Sequence, residues 1–328
     1  MERLQHYWYR ISPLHLLLVP LSVFFGALAA MRRWLYRLGA LTSLKIPVPV
    51  VVIGNISVGG TGKTPLTLWL AQQLIDDGWH PGIISRGYLK NGQQILSPRE
   101  VSSIDLPDEV GDEPLLMAQR KLCPVWISRD RPAAAMALLD AHPECDILLS
   151  DDGLQHYRLQ RDVEIVVVDG ARRFGNQLLL PAGPLRESVS RLKSVDAVVI
   201  NGGETTGDQF AMRLAGQQFY NLLNPEHIVT ATELQGLTLH AIAGIGHPTR
   251  FFNYLNQLGL TFTQHAFPDH HPYTTADLDL PDVEAILMTE KDAVKCASFA
   301  NEKCWVLRVD AQIDMALAQL IIKKVTRQ

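Results

Sequence analysis

The residues Ser57-Val58-Gly59-Gly60-Thr61-Gly62-Lys63-Thr64 have the types and spacing of a phosphate-binding loop. They follow an apolar, β-branched run at 48–53 and precede a helical pattern at 65–74, the strand–loop–helix setting in which such a loop works. Glycines let the backbone wrap around a phosphate, so that N–H groups of the loop and of the helix start point at it. Lys63 adds a charge for the β- and γ-phosphates, and Thr64 offers a hydroxyl to Mg²⁺. Ser57 stands where the usual G-x-x-x-x-G-K-[ST] pattern has its first glycine. Gly-Lys-Thr, the neighbouring glycines and the flanks still make a chance glycine-rich turn the poorer reading. Binding of a nucleoside triphosphate follows.

Further groups supply candidate partners. Residues 147–149 are apolar and run into Ser150-Asp151-Asp152, so paired carboxylates stand at a strand end. A P-loop enzyme needs an acid near its Mg²⁺; capping or turn acids are the alternative, and the position favours the metal role. Gly111-Asp112-Glu113-Pro114 opens a helix, and Asp112 is either its N-cap or a catalytic group. The turn-rich stretch 181–185 ends in Arg186-Glu187. That pair is either a surface ion pair of little worth, or an arginine for transferring phosphate charge beside a glutamate that completes a metal shell. Of the 11 histidines, His270 in Phe267-Pro268-Asp269-His270-His271 has a carboxylate beside it. Acid–base work suits it better than zinc, whose usual ligand spacing is missing. His247, after Gly244-Ile245-Gly246, reads as a helix-start residue.

These side chains need a scaffold. Apolar runs at 48–53, 82–85, 125–128, 146–150, 164–169 and 197–200 read as buried parallel strands, with helical stretches at 65–77, 113–121 and 131–141. The fold class is α/β: a doubly wound P-loop NTPase core whose site lies at the strand C-termini. A smaller α/β unit begins near 219–225. Its strands are expected at 237–245, 260–266 and 285–289 and its helix at 249–258; residues 305–309 lead into an amphipathic helix at 314–325. The organisation expected is an N-terminal helical segment 1–45, a P-loop domain 46–218 and a C-terminal domain 219–328.

The 328 residues, 47% hydrophobic and 20% charged with net charge −4, describe a globular chain that is no general nucleic-acid binder. Cys123, Cys145, Cys296 and Cys304 form no C-x-x-C pair and read as buried, reduced thiols of a cytosolic compartment. Residues 13–31 carry no charge. A helix over them would be about 28 Å long, near the ~30 Å hydrocarbon core of a bilayer. Arg32, Arg33, Arg37 and Lys45 follow it, against Arg3 and Arg10 before it, which places the C-terminal side in the cytoplasm. Tyr7, Trp8, Tyr9, Trp34 and Tyr36 bracket the run as interfacial aromatics do. Arg32-Arg33-Trp34 in place of a small-residue cleavage site argues against a signal peptide. Membrane attachment follows; the length favours spanning, while His15 and Pro20 admit a helix lying in the interface.

Taken in order, Gly54-Asn55-Ile56 with the loop to Pro65, Ser85-Arg86-Gly87-Tyr88, Gly111-Asp112-Glu113-Pro114, Ser150-Asp151-Asp152-Gly153-Leu154-Gln155-His156, residues 181–187, Gly244-Ile245-Gly246-His247-Pro248, residues 267–270 and Thr289-Glu290-Lys291-Asp292-Ala293-Val294-Lys295 resemble the tetraacyldisaccharide 4′-kinase family of lipid A biosynthesis. The resemblance covers essentially the whole chain and includes Ser57. It implies a kinase that uses ATP and Mg²⁺ to phosphorylate the 4′-hydroxyl of a tetraacylated glucosamine disaccharide 1-phosphate, giving lipid IVA on the cytoplasmic face of the bacterial inner membrane. It implies two α/β domains joined by a two-stranded linker, with the cleft between them. Lys63 would hold the β/γ-phosphates, Thr64, Asp151 and Asp152 would serve the metal and phosphate region, and Glu187 would approach the metal. Asp112 would take the sugar proton with His270 assisting, Arg186 would offset developing charge, and Arg86 and Tyr88 would sit near the lipid head group. The partners implied are that lipid and inner-membrane lipids, with neither nucleic acid nor an obligate protein. A four-chain lipid leaves a bilayer at a cost of ~0.8 kcal/mol per exposed CH₂, so its kinase must come to the surface, where Arg32, Arg33 and Arg37 would meet anionic lipid.

Rival classes fit less well. Membrane-linked partition or targeting ATPases carry lysine where Val58 stands. A GTPase would show N/T-K-x-D, and Thr289-Glu290-Lys291-Asp292 has the wrong order. A nucleotide-binding partner module predicts ATP binding with no phosphate acceptor.

Overall fold

The computed structural model describes Trp8, residues 14–87 and residues 95–326; Tyr7, Tyr9 and Tyr88 lie outside them. Helix α1 (Leu14–Arg37) covers the uncharged run and its arginines, with Pro20 inside. The first domain follows with β1 (Val50–Gly54), α2 (Lys63–Asp76), β2 (Pro81–Ser85), β3 (Arg99–Glu100), α3 (Pro107–Val110), α4 (Asp112–Gln119), β4 (Val125–Ile127), α5 (Arg131–Ala141), β5 (Ile147–Asp151), β6 (Val163–Asp169), β7 (Ala197–Asn201) and β8 (Phe210–Ala215).

Alternate residues of β1 enter opposite cores. Val51 and Ile53 pack with Leu66, Leu70 and Leu74 of α2, while Val50 and Val52 pack with Ala134, Ala135 and Leu138 of α5. A strand covered on both faces reads as a continuous apolar run, which is why the pattern at 48–53 looked buried rather than alternating. With β15 (Asp310–Ile313), which returns from further along the chain, nine strands of the described residues run in the order β15-β8-β7-β6-β1-β5-β2-β4-β3. All are parallel from β8 to β4; β3 and β15 close the edges antiparallel. β1 therefore lies mid-sheet with β5 at its side, and the loops after both emerge together.

The second domain contains β9 (Gln218–Asn221), β10 (Ile228–Thr230), α6 (Ala231–Leu234), β11 (Leu239–Ala243), α7 (Pro248–Gln257), β12 (Phe262–Ala266), α8 (Thr275–Leu278), β13 (Ala285–Thr289), α9 (Glu290–Cys296) and β14 (Cys304–Leu307). Its six strands run β10-β9-β14-β13-β11-β12. The chain then returns as β15 (Asp310–Ile313) and α10 (Ala316–Val325). β15 pairs antiparallel with β8, so outgoing and returning strands form a two-stranded connection. The expected unit 219–328 is corrected at its end: Leu317, Ile321 and Val325 of α10 pack into the core of the first domain. An amphipathic pattern names the buried face of a helix, not the domain that buries it.

Helix α1 docks by one face. Ser22 is 4% exposed, donates to Leu179 O at 2.8 Å and accepts from Ala182 N at 2.9 Å. Trp8 Nε1 donates to Pro181 O at 3.0 Å. On the opposite side Leu17, Leu21, Phe24, Leu28 and Met31, spaced by three and four, are exposed.

Candidate active site

The P-loop owes its shape to Gly62. Its φ is 96°, and a Cβ there would lie 2.3 Å from Asn201 Nδ2, so backbone and space both demand glycine. α2 starts at the next residue. Lys63 and Thr64 thus form its first turn, where unpaired backbone N–H groups gather.

The β1–β5 register pairs Ile53 with Asp151 and so brings the acidic strand end to the root of the loop. Lys63 Nζ lies 3.3 Å from Asp152 Oδ1, and Arg186 Nη1 lies 3.8 Å from Asp152 Oδ2. Desolvation opposes ionisation of Asp152, but the charges of Lys63 and Arg186 outweigh it and hold its pKa at about 2. Asp151 is fully buried; burial, with Glu113 adding to it, pushes its pKa up from the ordinary carboxylate range. Thr67 Oγ1 donates to Asp151 Oδ1 at 3.2 Å, while Asp151 Oδ2 finds no hydrogen-bond partner among the described residues. A hard cation with water in its shell supplies what that oxygen lacks. Thr64, Asp151 and Asp152 therefore fit Mg²⁺. Glu187 stands apart: it accepts from Gln155 Nε2 at 2.7 Å and Tyr157 OH at 2.8 Å, and pairs with Arg33 and Arg191 at 3.4 Å. Arg33 thereby turns toward a protein carboxylate.

Asp112 was open between cap and catalyst. Gly111 (φ 94°, ψ 150°) occupies the N-cap between α3 and α4, and no side-chain cap bond is made. Asp112, 6% exposed, is instead met by His270 Nδ1 at 3.2 Å from the second domain. Burial raises the Asp112 pKa, but the His270 hydrogen bond and the charges of Lys295 and Lys291 outweigh it, and it lies below the ordinary value. Asp152 and His270 share left-handed backbone (φ 48° and 60°), a strained state that clusters at functional sites.

The segment Thr289–Lys295 explains how His270 is held. Asp292 Oδ2 accepts from Gly244 N at 3.2 Å, and Lys295 Nζ bonds Asp292 Oδ1 at 2.9 Å and Gly244 O at 3.4 Å. His270 N donates to the same Gly244 carbonyl at 3.2 Å. A buried ion pair thus clamps the loop from which His270 projects. Lys291 Nζ lies 3.3 Å from Glu113 and 3.6 Å from Asp269, joining the two domains beside Asp112. His247 is the N-cap of α7.

Arg131, at the start of α5, is 1% exposed; Nη2 donates to Asp151 O at 2.7 Å, and Nε and Nη1 find no partner among the described residues. It lines a cavity of about 530 Å³ with Arg32 and Tyr36 of α1, Arg86, Arg129 and Arg158.

The sequence profile of the tetraacyldisaccharide-1-P 4′-kinase family matches residues 14–326. The chain belongs to that family. A tetraacyldisaccharide 4′-kinase of Methylobacillus flagellatus is 50% identical over 99% of this chain and 96% of its own length. Another, from Azoarcus sp., is 50% identical over 97% of this chain and 94% of its own. The crystal structure of LpxK from Aquifex aeolicus in complex with ATP superposes with a TM-score of 0.80 at 31% identity, covering 95% of this chain and 99% of that one.

Within this 4′-kinase family member, the sequence reading did not single out Thr67, Arg131, Arg172 or Lys291 for the site. Lys291 stood in a quoted motif without a role. Arg131 lies just past the strand expected at 125–128, but a charged residue is expected at the surface. Arg172 Nη2 pairs with Asp169 Oδ2 at 3.0 Å and hydrogen-bonds Gly60 O of the P-loop; a fold-level contact of that kind leaves no local signal.

Proposed function

We propose that this chain transfers the γ-phosphate of ATP to the 4′-hydroxyl of a tetraacylated glucosamine disaccharide 1-phosphate, with its catalytic domains at the cytoplasmic face of the bacterial inner membrane. The contact of Asp112 with His270 carries the reading. It offers a buried carboxylate, met from the other domain, that can accept a hydroxyl proton, while Lys63 and Arg186 gather around Asp152 at the P-loop. Asp112 takes the proton, and His270 orients its carboxylate. Lys63 and Arg186 stand where charge on the transferring phosphoryl group needs offsetting. Thr64, Asp151 and Asp152 would hold Mg²⁺, which when bound neutralises phosphate charge. The two domains meet over the site, and this excludes water from phosphoryl transfer.

The arginine-lined cavity supports a phosphorylated sugar head group as acceptor. Arg131 enters it with unpaired N–H groups, and α1 contributes Arg32 and Tyr36. α1 is long and apolar enough to cross a membrane. Ser22, in mid-run, is nevertheless bonded to the loop at 179–182, and the apolar residues are exposed on the far face. That geometry favours a helix lying in the bilayer surface beside the cavity.

The test is transfer of γ-³²P from ATP to tetraacyldisaccharide 1-phosphate in detergent micelles, with Asp112→Ala beside the wild type. Labelled lipid, lost in the variant, is expected. ATP hydrolysis without labelled lipid would return the chain to the switch-ATPase class.

A further inference from the structure

We propose that α1 is a working part of the catalytic centre as well as an anchor: Arg33, through Glu187, positions Arg186 and the P-loop. The inference rests on the phosphoryl-transfer reading above.

One loop joins the two. On one side it is held by α1. Ser22 brackets it at Leu179 and Ala182, Leu179 Cδ1 lies 2.4 Å from where a Cβ on Gly26 would be, and Arg33 Nη1 reaches Glu187 Oε2 at 3.4 Å. Ser22, Gly26 and Arg33 share one helical face. On its other side the loop is tied to the strand–P-loop junction. Val58 N donates to Pro184 O at 2.9 Å, Arg186 N donates to Ile56 O at 2.7 Å, and Ser57 bridges Leu185 antiparallel. The loop ends in Arg186, which faces Asp152 and through it Lys63.

Glu187 is the pivot. It is 8% exposed, and a buried carboxylate needs full satisfaction. Gln155 and Tyr157 donate to it, and burial together with the Glu187 charge pushes the Tyr157 hydroxyl up to about 12, so it remains a donor. Arg191 and Arg33 supply the cations. Tyr157 also packs against Tyr36 of α1, ring centroids 5.9 Å apart. An anchor needs only apolar area. A buried serine and an arginine turned inward to an active-site loop serve docking, and docking fixes the residue beside the reacting phosphate.

The experiment uses the full chain with vesicles of phosphatidylethanolamine and phosphatidylglycerol carrying tetraacyldisaccharide 1-phosphate. Vesicle co-sedimentation, ATP affinity, kcat and KM are measured for the wild type, Arg33→Gln, Arg33→Lys and, at an exposed position of β8, Arg213→Gln. Arg33→Gln is expected to lower kcat at saturating lipid by about ten- to a hundredfold, the cost of a small misplacement of a catalytic group. Vesicle binding and ATP affinity should stay within about twofold. Arg33→Lys should recover part of the loss, and Arg213→Gln should leave kcat unchanged. An Arg33→Gln protein with wild-type kcat, altered only in vesicle binding or lipid KM, would make α1 an anchor and nothing more. Wild-type turnover on the same vesicles reports separately on the phosphoryl-transfer reading.

Discussion

Asp112 and His270 are 158 residues apart in the chain, stand in different domains, and meet at 3.2 Å across the cleft. Neither is a local structural group: Gly111 is the N-cap that Asp112 was expected to compete for, and His270 is suspended from a loop clamped by Asp292 and Lys295. The pair needs the two domains in contact, so on the proposed reading proton acceptance would be tied to that contact.

Removing the base should therefore act on the transition state. Asp112→Ala is expected to lower kcat by about 10²- to 10⁴-fold with ATP affinity nearly unchanged. His270→Ala should cost less, and the double variant should resemble Asp112→Ala alone because the groups act as a unit. Steady-state kinetics beside calorimetric ATP titration checks this. An ATP affinity that fell with the rate would make Asp112 structural.

Lys63 stands in the first turn of α2, 3.3 Å from Asp152, and on the proposed reading it would also meet the phosphates. Lys63→Ala should weaken ATP binding and lower the rate together, in contrast to Asp112→Ala. Unchanged kinetics would remove the P-loop from the reaction.

Arg120 joins the two domains beside the connecting strand β15. Nη2 donates to Glu290 and to Val309 O at 2.9 Å, and Nη1 to Asp310 at 2.9 Å. Glu290 is buried, and burial raises its pKa despite Arg120. Arg120→Ala leaves that carboxylate unpaired, at an expected cost of about 3 kcal/mol. Thermal melts should show a fall of several degrees; an unshifted melt would mean the pair contributes nothing net.

His156 gives the pH dependence a sign. Burial, with the charges of Arg131 and Arg86, lowers its pKa to about 3. Between the ordinary histidine value and about 3 the unfolded chain binds the extra proton and the folded chain does not, so stability falls as pH drops through that window. By pH 5 the loss is roughly 2 kcal/mol. His156→Asn lacks the group and should lose less stability between pH 7.5 and pH 5. Equal losses in denaturant titrations at the two pH values would overturn the assignment.

Much of this molecule could be read along the chain. The P-loop, the buried parallel strands and the acidic strand end at Asp151-Asp152 are local patterns, because a strand covered on both faces must be apolar throughout and a phosphate loop must be rich in glycine. The motif order was enough to point to the kinase family. Other features arose only from folding. The return of α10 to the first core, the burial of Arg131 beneath Asp151 and the inward turn of Arg33 toward Glu187 all depend on surfaces distant in sequence. Glu187 shows the limit most plainly. Its place beside Arg186 suggested a metal ligand, and its actual partners are Arg33 and the pair Gln155 and Tyr157, from two distant segments, with Arg191 four residues on. Periodicity and motifs report which groups a segment must bury or offer. Which partner satisfies a buried charge is settled by the tertiary contacts that desolvate it.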